Sequence, residues 1–324
     1  MKKLIIVLLI MFASILQIKA QQVVMYNQYQ IDPFNVNPAF AGMDEKIHVN
    51  LCFRKNWAGI PNSPVTYYIS GHSRLGERPP EPYDKYSLRI SQPQKYESLY
   101  GTKKSKVYHA LGGIVQNDRL GAFARLNAGL SYAAHLKLKG KMNLALGLQA
   151  GLLNYTFDKE GLILAFPDDQ TYIDFLTQNT SSTFMNLNAG LVLYSDKFEF
   201  QYAAQQLLRN QIWFVNNSDV IELQIHHYLG FAYIMSMEAQ KIRLKPSVML
   251  RYVSGIPLSV DVNLLAEFDQ KFWAGLSYRL KNSAIVLLGM NYKQFRFGYA
   301  YDYNTAMLPK SNSGSHELFI GMNF

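Results

Sequence analysis

The chain ends on the stretch SHELFIGMNF, residues 315–324, and this stretch decides the fold. Leu318, Ile320, Met322 and Phe324 fall on one face of it, which is the two-residue period of a β-strand. A strand at a chain terminus needs a neighbour on each side, and the first strand of the chain can supply one. In a membrane such closure is compulsory, because an open sheet edge leaves backbone amides unsatisfied in hydrocarbon. The stretch predicts an outer-membrane β-barrel that Phe324 closes, with an ordinary soluble β-domain as the alternative.

The same alternation recurs along the chain from Lys46 onward. Residues 144–152 carry a leucine or alanine at every even position, and residues 258–266 carry leucine, valine or alanine there. Counting the runs gives about fourteen strands of about ten residues, and an even number is typical of single-chain outer-membrane barrels. The expected strand starts are Lys46, Val65, Tyr108, Arg125, Met142, Met185, Lys197, Gln224, Ile242, Leu258, Lys271, Ala284, Gln294 and Ser315.

The connections between these strands alternate in length. Residues 139–141, 195–196, 268–270 and 292–293 read as short periplasmic turns, and 158–183, 207–223 and 304–314 as longer extracellular loops. Residues 75–107 break the rule, because they form a long connection on the predicted periplasmic side. Their seven Lys and Arg residues against four Asp and Glu residues leave a net charge of +3. This basic insertion is either a tolerated surface loop or a docking loop with Lys103, Lys104 and Lys106 among its candidate contacts.

The N-terminus reads as a processed leader followed by an ordered segment. Lys2 and Lys3 precede an apolar run that is too short to span a bilayer as a helix, and Ala20 suits a cleavage site. We therefore expect a signal peptide over 1–20. Residues 21–45 mix asparagines with aromatics and show no periodicity, so we expect an ordered periplasmic lead-in segment there. The predicted fold is all-β, with a transmembrane antiparallel up-and-down barrel over 46–324.

Composition narrows the function further. The net charge of +9 is basic, but on an outer-membrane chain basic loops are better matched to anionic lipid head groups or acidic partners than to nucleic acid. The 22 Tyr and 19 Phe residues can supply the aromatic girdles of a barrel. The single cysteine, Cys52, excludes an internal disulfide, and its parity places it on the polar side of its strand, where a buried, inert thiol is expected.

No residue pattern predicts catalysis, a cofactor or a metal site. His226 and His227 are adjacent on a strand and therefore face opposite sides, as do His316 and Glu317. Asp168-Asp169 falls in a predicted loop and lacks further ligands. Charged residues do recur on the predicted lumen side, and paired charges that stitch the lumen are preferred to an anion-selective pore. These residues are Arg54, Arg125, Arg243, Lys245, Arg251, Arg279, Arg296, Glu199, Asp261, Glu267 and Asp302.

Several segments, taken in order, resemble a known family. Tyr29 with the run 37–42 (Asn-Pro-Ala-Phe-Ala-Gly) is similar to the opening motif of the PorP/SprF family of the type IX secretion system of Bacteroidota. The further matching positions are Arg54, Trp57, Gly59, Pro64, His72, Gly112, Gly113, Asn117, Asp118, Gly121, His227, Tyr228, Pro246, Asp261, Asn263, Gly298, Tyr299, Tyr301, Asp302, His316 and Glu317. The chain departs from the family pattern in Phe40, where a tyrosine is usual, and in the long connection 75–107.

The resemblance implies a non-enzymatic outer-membrane component that serves as scaffold or adaptor for secretion or surface attachment of a cargo, such as a gliding adhesin. Its implied partners are secretion components in the outer membrane and periplasm, the cargo's C-terminal signal, and outer-membrane lipids. A porin or transporter for small solutes is the alternative. The candidate partner contacts outside the insertion are Asn37, Pro38, Phe40, Gly42, Arg54 and Trp57.

Overall fold

A computed structural model describes residues 25–76, 106–158, 181–213, 220–305 and 313–324 of the chain. The predicted signal peptide, Lys103, Lys104 and the pair Asp168-Asp169 lie outside these ranges. The strands are β1 (His48–Lys55), β2 (Val65–Leu75), β3 (Val107–Leu120), β4 (Phe123–Lys137), β5 (Asn143–Phe157), β6 (Ser181–Tyr194), β7 (Phe198–Gln205), β8 (Gln211–Trp213), β9 (Val220–Glu222), β10 (His226–Tyr233), β11 (Met235–Met237), β12 (Ile242–Val253), β13 (Ile256–Phe268), β14 (Phe272–Arg279), β15 (Ser283–Tyr292), β16 (Phe295–Asn304) and β17 (Ser315–Asn323). Three short 3-10 helices cover Pro33–Asn35, Pro38–Phe40 and Glu238–Gln240.

Fourteen of these strands close an antiparallel barrel. Each pairs with its neighbours in chain order, β10 pairs with β12, and β1 pairs with β17 along its whole length, from His48 opposite Asn323 to Lys55 opposite His316. Two backbone hydrogen bonds between Ile47 and Phe324, of 3.1 and 3.0 Å, complete this seam. The prediction of a fourteen-stranded barrel closed by the last strand is confirmed. The largest difference in a strand start is at β6, which begins at Ser181 instead of Met185.

The outer wall is apolar and the inner wall is polar. In β14 every second side chain is exposed and apolar, Leu318 and Ile320 of β17 are exposed in the same way, and Leu130 of β4 is 77% exposed. The residues between them are buried and mostly polar, as Ser131 and Gln149 are. An apolar outer surface is stable in lipid, where a barrel has no unpaired edge. Parity therefore predicts the two faces correctly, and Cys52 is buried on the inner side as expected.

The two ends of the barrel differ in their connections. We call the end that carries His48, Phe324 and the turns at 195–197, 269–271 and 293–294 the turn end. The opposite end, which carries the connections 56–64, 206–225 and 305–314, is the loop end; β8 and β9 form a hairpin there. The alternation of lengths is incomplete, since the loop end also has two-residue connections at 121–122 and 254–255. That the turn end faces the periplasm stays a prediction.

Pro246 does not produce the bulge that its place in a strand predicts. It lies opposite Leu264 in regular register, and the irregularity of β12 lies between Arg251 and Val253. On the other edge of β12, the pairing with β10 ends at Ser247, and the pairing with β11 begins at Leu244. The missing N–H of Pro246 thus falls where the neighbouring strand is interrupted, so the proline removes no ladder hydrogen bond there.

The core of the molecule lies inside the barrel. Residues 25–46, which we call the plug, run through the lumen and are buried over most of their length. Met25 lines a cavity at the loop end, and Asp44 contacts His48 at the turn end. The sequence predicts residues 21–45 to be a periplasmic lead-in segment, but the described part of this segment, residues 25–45, fills the lumen instead. The physical reason is that Tyr29, Phe34 and Phe40 need burial, and the inner wall offers it. No helix in the described ranges is long and apolar enough to cross a membrane.

The plugged lumen as candidate functional site

The inner wall leaves room for the plug because small residues line it where the plug approaches. A Cβ atom on Gly147 of β5 would collide with the backbone of Ala39, and one on Gly190 of β6 would collide with Oδ1 of Asn37. Ala133 and Ala145 are fully buried against the same part of the plug. Phe34 and Phe40 complete this cluster. Fully burying a side chain of this size contributes about 1.5–3 kcal/mol, so the two phenylalanines are strong anchors.

Asn37 ties the plug to two strands at once. Its Nδ2 donates to the carbonyl oxygens of Leu191 in β6 and Tyr202 in β7, both at 3.2 Å. Its Oδ1 accepts from the backbone N–H of Ala39 at 3.0 Å and so caps the short helix Pro38–Phe40. Asparagine is suited to this position because one amide group serves the wall and the helix cap together.

Three histidines hold the turn-end half of the plug. The His135 Nε2–H donates to the carbonyl of Ala41 at 2.7 Å, and the N–H of Gly42 donates to Nδ1 of His72 at 3.2 Å. His72 stacks on His48, with ring centroids 4.6 Å apart. Burial raises the pKa of Asp44, but its 2.6 Å contact with His48 outweighs burial and the net shift of this pKa is downward. The plug therefore ends on a charged carboxylate at the turn end.

A buried ionic network holds the loop-end half. Glu317 of β17 accepts the backbone N–H groups of Asn27 and Gln28, both at 2.9 Å, and a hydrogen bond from Arg54 at 3.0 Å. Arg54 also bonds Asp302 at 3.0 Å, and Asp302 accepts from Nδ2 of Asn27. Hydrogen bonds to ionised groups are shorter and stronger than neutral ones. The plug is thus fixed to a carboxylate that an arginine on the neighbouring strand also binds.

The network continues around the wall to β12, β13 and β14 with balanced charge. Asp261 of β13 pairs with Arg279 at 3.0 Å and with Arg251 at 2.8 Å. The Arg251 guanidinium lies 5.0 Å from the centre of the Tyr29 ring, and the Tyr29 hydroxyl accepts from Asn263 at 2.8 Å. Three arginines therefore face the three carboxylates of Asp261, Asp302 and Glu317. The prediction that lumen charges are paired holds for these groups, and also for Lys245 with Glu199 and Arg243 with Glu267.

The cavities of the barrel are large at its mouths and small around the plug. A vestibule of about 1060 Å³ opens at the turn end, and a cavity of about 410 Å³ lies at the loop end. Beside the plug, two cavities lined in part by Tyr26 and Tyr29 measure about 30 and 20 Å³. Because a water needs roughly 10–15 Å³ of such space, each of these cavities has room for no more than a few waters. The plug therefore occupies the cross-section that a solute would need.

The candidate partner contacts do not form one surface. Asn37, Pro38 and Phe40 are buried in the lumen, as is Arg54 in the ionic network. Gly42 lies with them at a positive φ of 63°. Trp57 belongs to the loop-end connection, where its backbone N–H donates to the hydroxyl of Ser315, and Lys106 is exposed beside β3. That these residues contact a partner stays a prediction, and a partner could reach the buried ones only after the plug moves.

Sequence reasoning misses the acid and the plug residues on which the network depends. Glu317 shares the inward-facing parity of Phe319, and this parity could have placed Glu317 in the lumen. Considering Glu317 only together with the adjacent His316, as a possible metal pair, does not show that it faces the lumen. Asn27 and Gln28 carry no such signal, since their partner lies 290 and 289 residues away in the chain. Within the described ranges, no group of three or more His, Cys, Asp or Glu side chains is placed to hold a metal ion.

Comparison with known proteins adds the family. The family described as "Type IX secretion system membrane protein PorP/SprF" matches residues 18–322. A comparison with curated proteins gives no match. Among solved structures, CymD, a monoaromatic hydrocarbon channel, is similar with a TM-score of 0.48 and 12% identity over 92% of each chain. The Acinetobacter baumannii outer membrane protein Omp33 gives 0.47 and 7% over 87% of this chain and 100% of that chain. The Pseudomonas putida toluene transporter TodX gives 0.44 and 9% over 93% of each chain.

The similarity to these solved structures carries nothing about substrates. The family match is different in kind, because it covers nearly the whole chain and agrees with the ordered motifs of the sequence. Its family is one of secretion-system membrane components and not a known enzyme family. With its closed fourteen-stranded barrel and apolar outer wall, this outer-membrane chain belongs to the PorP/SprF family of the type IX secretion system.

Proposed function

We propose that the chain is a non-enzymatic, non-conducting scaffold or adaptor for the secretion or surface attachment of a cargo protein, such as a gliding adhesin. One observation carries the proposal: the plug fills the lumen and is fixed there from Asn27 to Asp44. A barrel whose interior is occupied offers no path to a solute, so its outer wall and its two mouths are the surfaces left for function. Family membership supplies the context, which is the type IX secretion machinery.

The small-solute channel is the competing function, and it needs a mobile plug. The plug would have to release the Asn27 and Gln28 contacts to Glu317, the Asn37 contacts and the buried Phe34 and Phe40 together. Each hydrogen bond to a charged group contributes about 1.5–3 kcal/mol, and burial of each aromatic side chain contributes about as much again. Spontaneous opening is therefore rare, and the adaptor role fits this arrangement better.

Conductance in planar bilayers tests the proposal. We expect the purified wild-type protein to give no stable conductance steps, and a variant without residues 25–41 to give them if it assembles. Regular steps from the wild-type protein would favour the channel instead. Heat-modifiable migration on gels serves as the control for folding in both samples.

Co-purification tests the adaptor role itself. The tagged protein, extracted from its own membranes, should carry type IX secretion components with it, and deletion of its gene should stop secretion or surface attachment of its cargo. Secretion that continues unchanged without the protein would refute the proposed function. The basic connection 75–107 remains a predicted docking loop; its central residues lie outside the described ranges, and trimming it to a short turn is a separate test of that prediction.

A further inference from the structure

The vestibule at the turn end has the shape and charge of a binding site that the plug does not use. Its floor is formed by Gln30 and Ile31 of the plug with Arg296 and Trp273 of the wall, and its rim includes Lys46 and Lys293. At about 1060 Å³ it lies at the upper limit of the range of about 300–1,000 Å³ typical of sites for drug-sized ligands. It therefore has room for several residues of a peptide and is too large for one small anion.

The charges that line the vestibule do not cancel locally. Four acids line it, and three of them are engaged: Asp44 with His48, Glu267 with Arg243, and Asp269 with Lys241 and Lys271. Hydrogen bonds from Lys271 and Lys241 lower the pKa of Asp269, so this carboxylate is ionised and held by its own lysines.

Three cations remain. Lys46, Lys293 and Arg296 have no acidic partner within 4 Å in the part of the chain that the structure describes, although Arg296 donates to the carbonyl of Ile31 at 3.0 Å. The single unmatched acid is Glu238. A cavity with surplus positive charge and low-dielectric walls concentrates negatively charged ligands.

A strand edge at the rim favours a peptide among such ligands. β11 pairs with β12 on one side, and on its other side no strand of the described ranges pairs with it. Ser236 and Met237 of β11 line the vestibule. An exposed edge can accept an extended chain through main-chain hydrogen bonds, while pockets beside it select the side chains.

The chain's own long connection at this end does not complement the vestibule. Residues 77–105 carry six Lys and Arg residues against four Asp and Glu residues, so their net charge has the same sign as the vestibule's. An occupant from another protein is the better electrostatic match.

We propose that the vestibule is the docking site for an extended, acidic peptide segment of a partner on the turn-end side of the membrane. Lys46, Lys293 and Arg296 bind its carboxylates, and the edge of β11 binds its backbone. This inference rests on the proposed adaptor function and names the surface and the chemistry by which the adaptor holds a partner.

Peptide binding to the purified protein in detergent tests the site. The probes are fluorescein-labelled peptides of equal length, one of alternating Glu and Ser and one of alternating Lys and Ser, with binding measured by fluorescence anisotropy. We expect the acidic peptide to bind and the basic one not to bind. The Kd of the acidic peptide should rise by about 10-fold between low salt and physiological ionic strength or above, because exposed charges are screened.

Charge reversal locates the binding. The double variant Lys46→Glu, Lys293→Glu should weaken binding of the acidic peptide by about 10-fold or more, since two attractions become repulsions. The matched control is Lys139→Glu, Lys141→Glu, which makes the same change in net charge in the exposed turn 138–142 at the same end, and its Kd should stay within about two-fold of the wild type. Equal affinities of the two double variants, or no binding to the wild type, would overturn the proposal.

Secretion in cells separates this inference from the function on which it rests. If deletion of the gene leaves cargo secretion intact, the adaptor function itself is refuted. If deletion abolishes secretion and the Lys46→Glu, Lys293→Glu variant restores it fully, the vestibule is not the docking site and the adaptor function stands. Heat-modifiable migration of the variant shows that it has folded.

Discussion

Glu317 joins the plug to the wall of the barrel through two backbone hydrogen bonds. It is 1% exposed and accepts hydrogen bonds from two plug amides and from Arg54. Burial of this carboxylate lowers the stability of the fold, and its hydrogen-bonding partners offset that cost. Removing the charge of Glu317 leaves Arg54, Arg251 and Arg279 facing only two carboxylates, so one buried positive charge is uncompensated.

We therefore expect Glu317→Gln to destabilise the protein by about 3–5 kcal/mol, because Arg54 keeps its charge and loses a buried partner. The urea midpoint of unfolding in detergent measures the loss. Asp196→Asn, which removes a largely exposed partner of Lys141, is the control and should leave the midpoint unchanged. Equal midpoints for the two variants would show that the network does not hold the plug.

Gly147 determines how closely the plug approaches the wall. We expect Gly147→Ala to displace residues 38–40, since the new Cβ atom would meet backbone that cannot move aside alone. Limited proteolysis should then cut within the plug about 10-fold faster, because local opening exposes it. Gly113→Ala is the matched control, as its Cβ would make an ordinary contact with Leu130 on the outer wall. Equal cleavage of both variants would contradict the close fit.

At the scale of elements, the strands show a two-residue alternation of apolar and polar side chains, and the plug shows no such period. Every barrel strand separates lipid from lumen, so its side chains alternate and the pattern can be seen within ten residues, as in β5 or β14. The plug has no membrane face, and its contacts are spread over many strands: Asn27 contacts β17, Asn37 contacts β6 and β7, and Ala41 contacts β4. Contacts so distant in the chain leave no periodic signal, which is why the segment could be predicted as ordered but not as lumenal.

The position of the apolar outer band can be tested by placing arginine at two depths in the membrane, one in the middle of β5 and one in the turn before it. Leu148 lies in the middle of the outward run of β5 from Leu144 to Leu152, and Leu138 lies in the turn before β5. We expect Leu148→Arg to cost about 2–4 kcal/mol and Leu138→Arg about 0–1 kcal/mol, because the penalty for arginine falls towards the membrane interface. Folding titrations into lipid vesicles measure both. The same penalty at both positions would contradict the placement of the band. Gln149 is less informative, because it is packed against Ser131 and Asn188 inside the plugged lumen.

At the scale of the whole molecule, closure and plugging together explain why the barrel can act without a pore. Closure satisfies the backbone in lipid, and the plug supplies the core that an empty lumen would lack. The count of strands and their order could be predicted from sequence, since the last strand must find the first. The vestibule could not, because its lining residues come from the plug, β1, each strand from β11 to β17 and the turns beside them, and their surplus of positive charge appears only when these elements meet at one mouth.

We predict that closure of the barrel depends on Phe324, which directly follows the last strand. Phe324 makes two backbone hydrogen bonds to Ile47, and its ring is 54% exposed on the lipid side, where an aromatic girdle lies. Deletion of Phe324 removes the bonds and the ring, Phe324→Ala removes the ring alone, and Phe324→Tyr keeps both. We therefore expect heat-modifiable protein in the outer membrane to decrease in the order Phe324→Tyr, Phe324→Ala, deletion. Quantitative immunoblots of heated and unheated membrane fractions measure the amounts, with total expression as the control. If the chain without Phe324 accumulates and folds at the wild-type level, the seam between β1 and β17 closes without its terminal aromatic residue, and Phe324 has no part in assembly of the barrel.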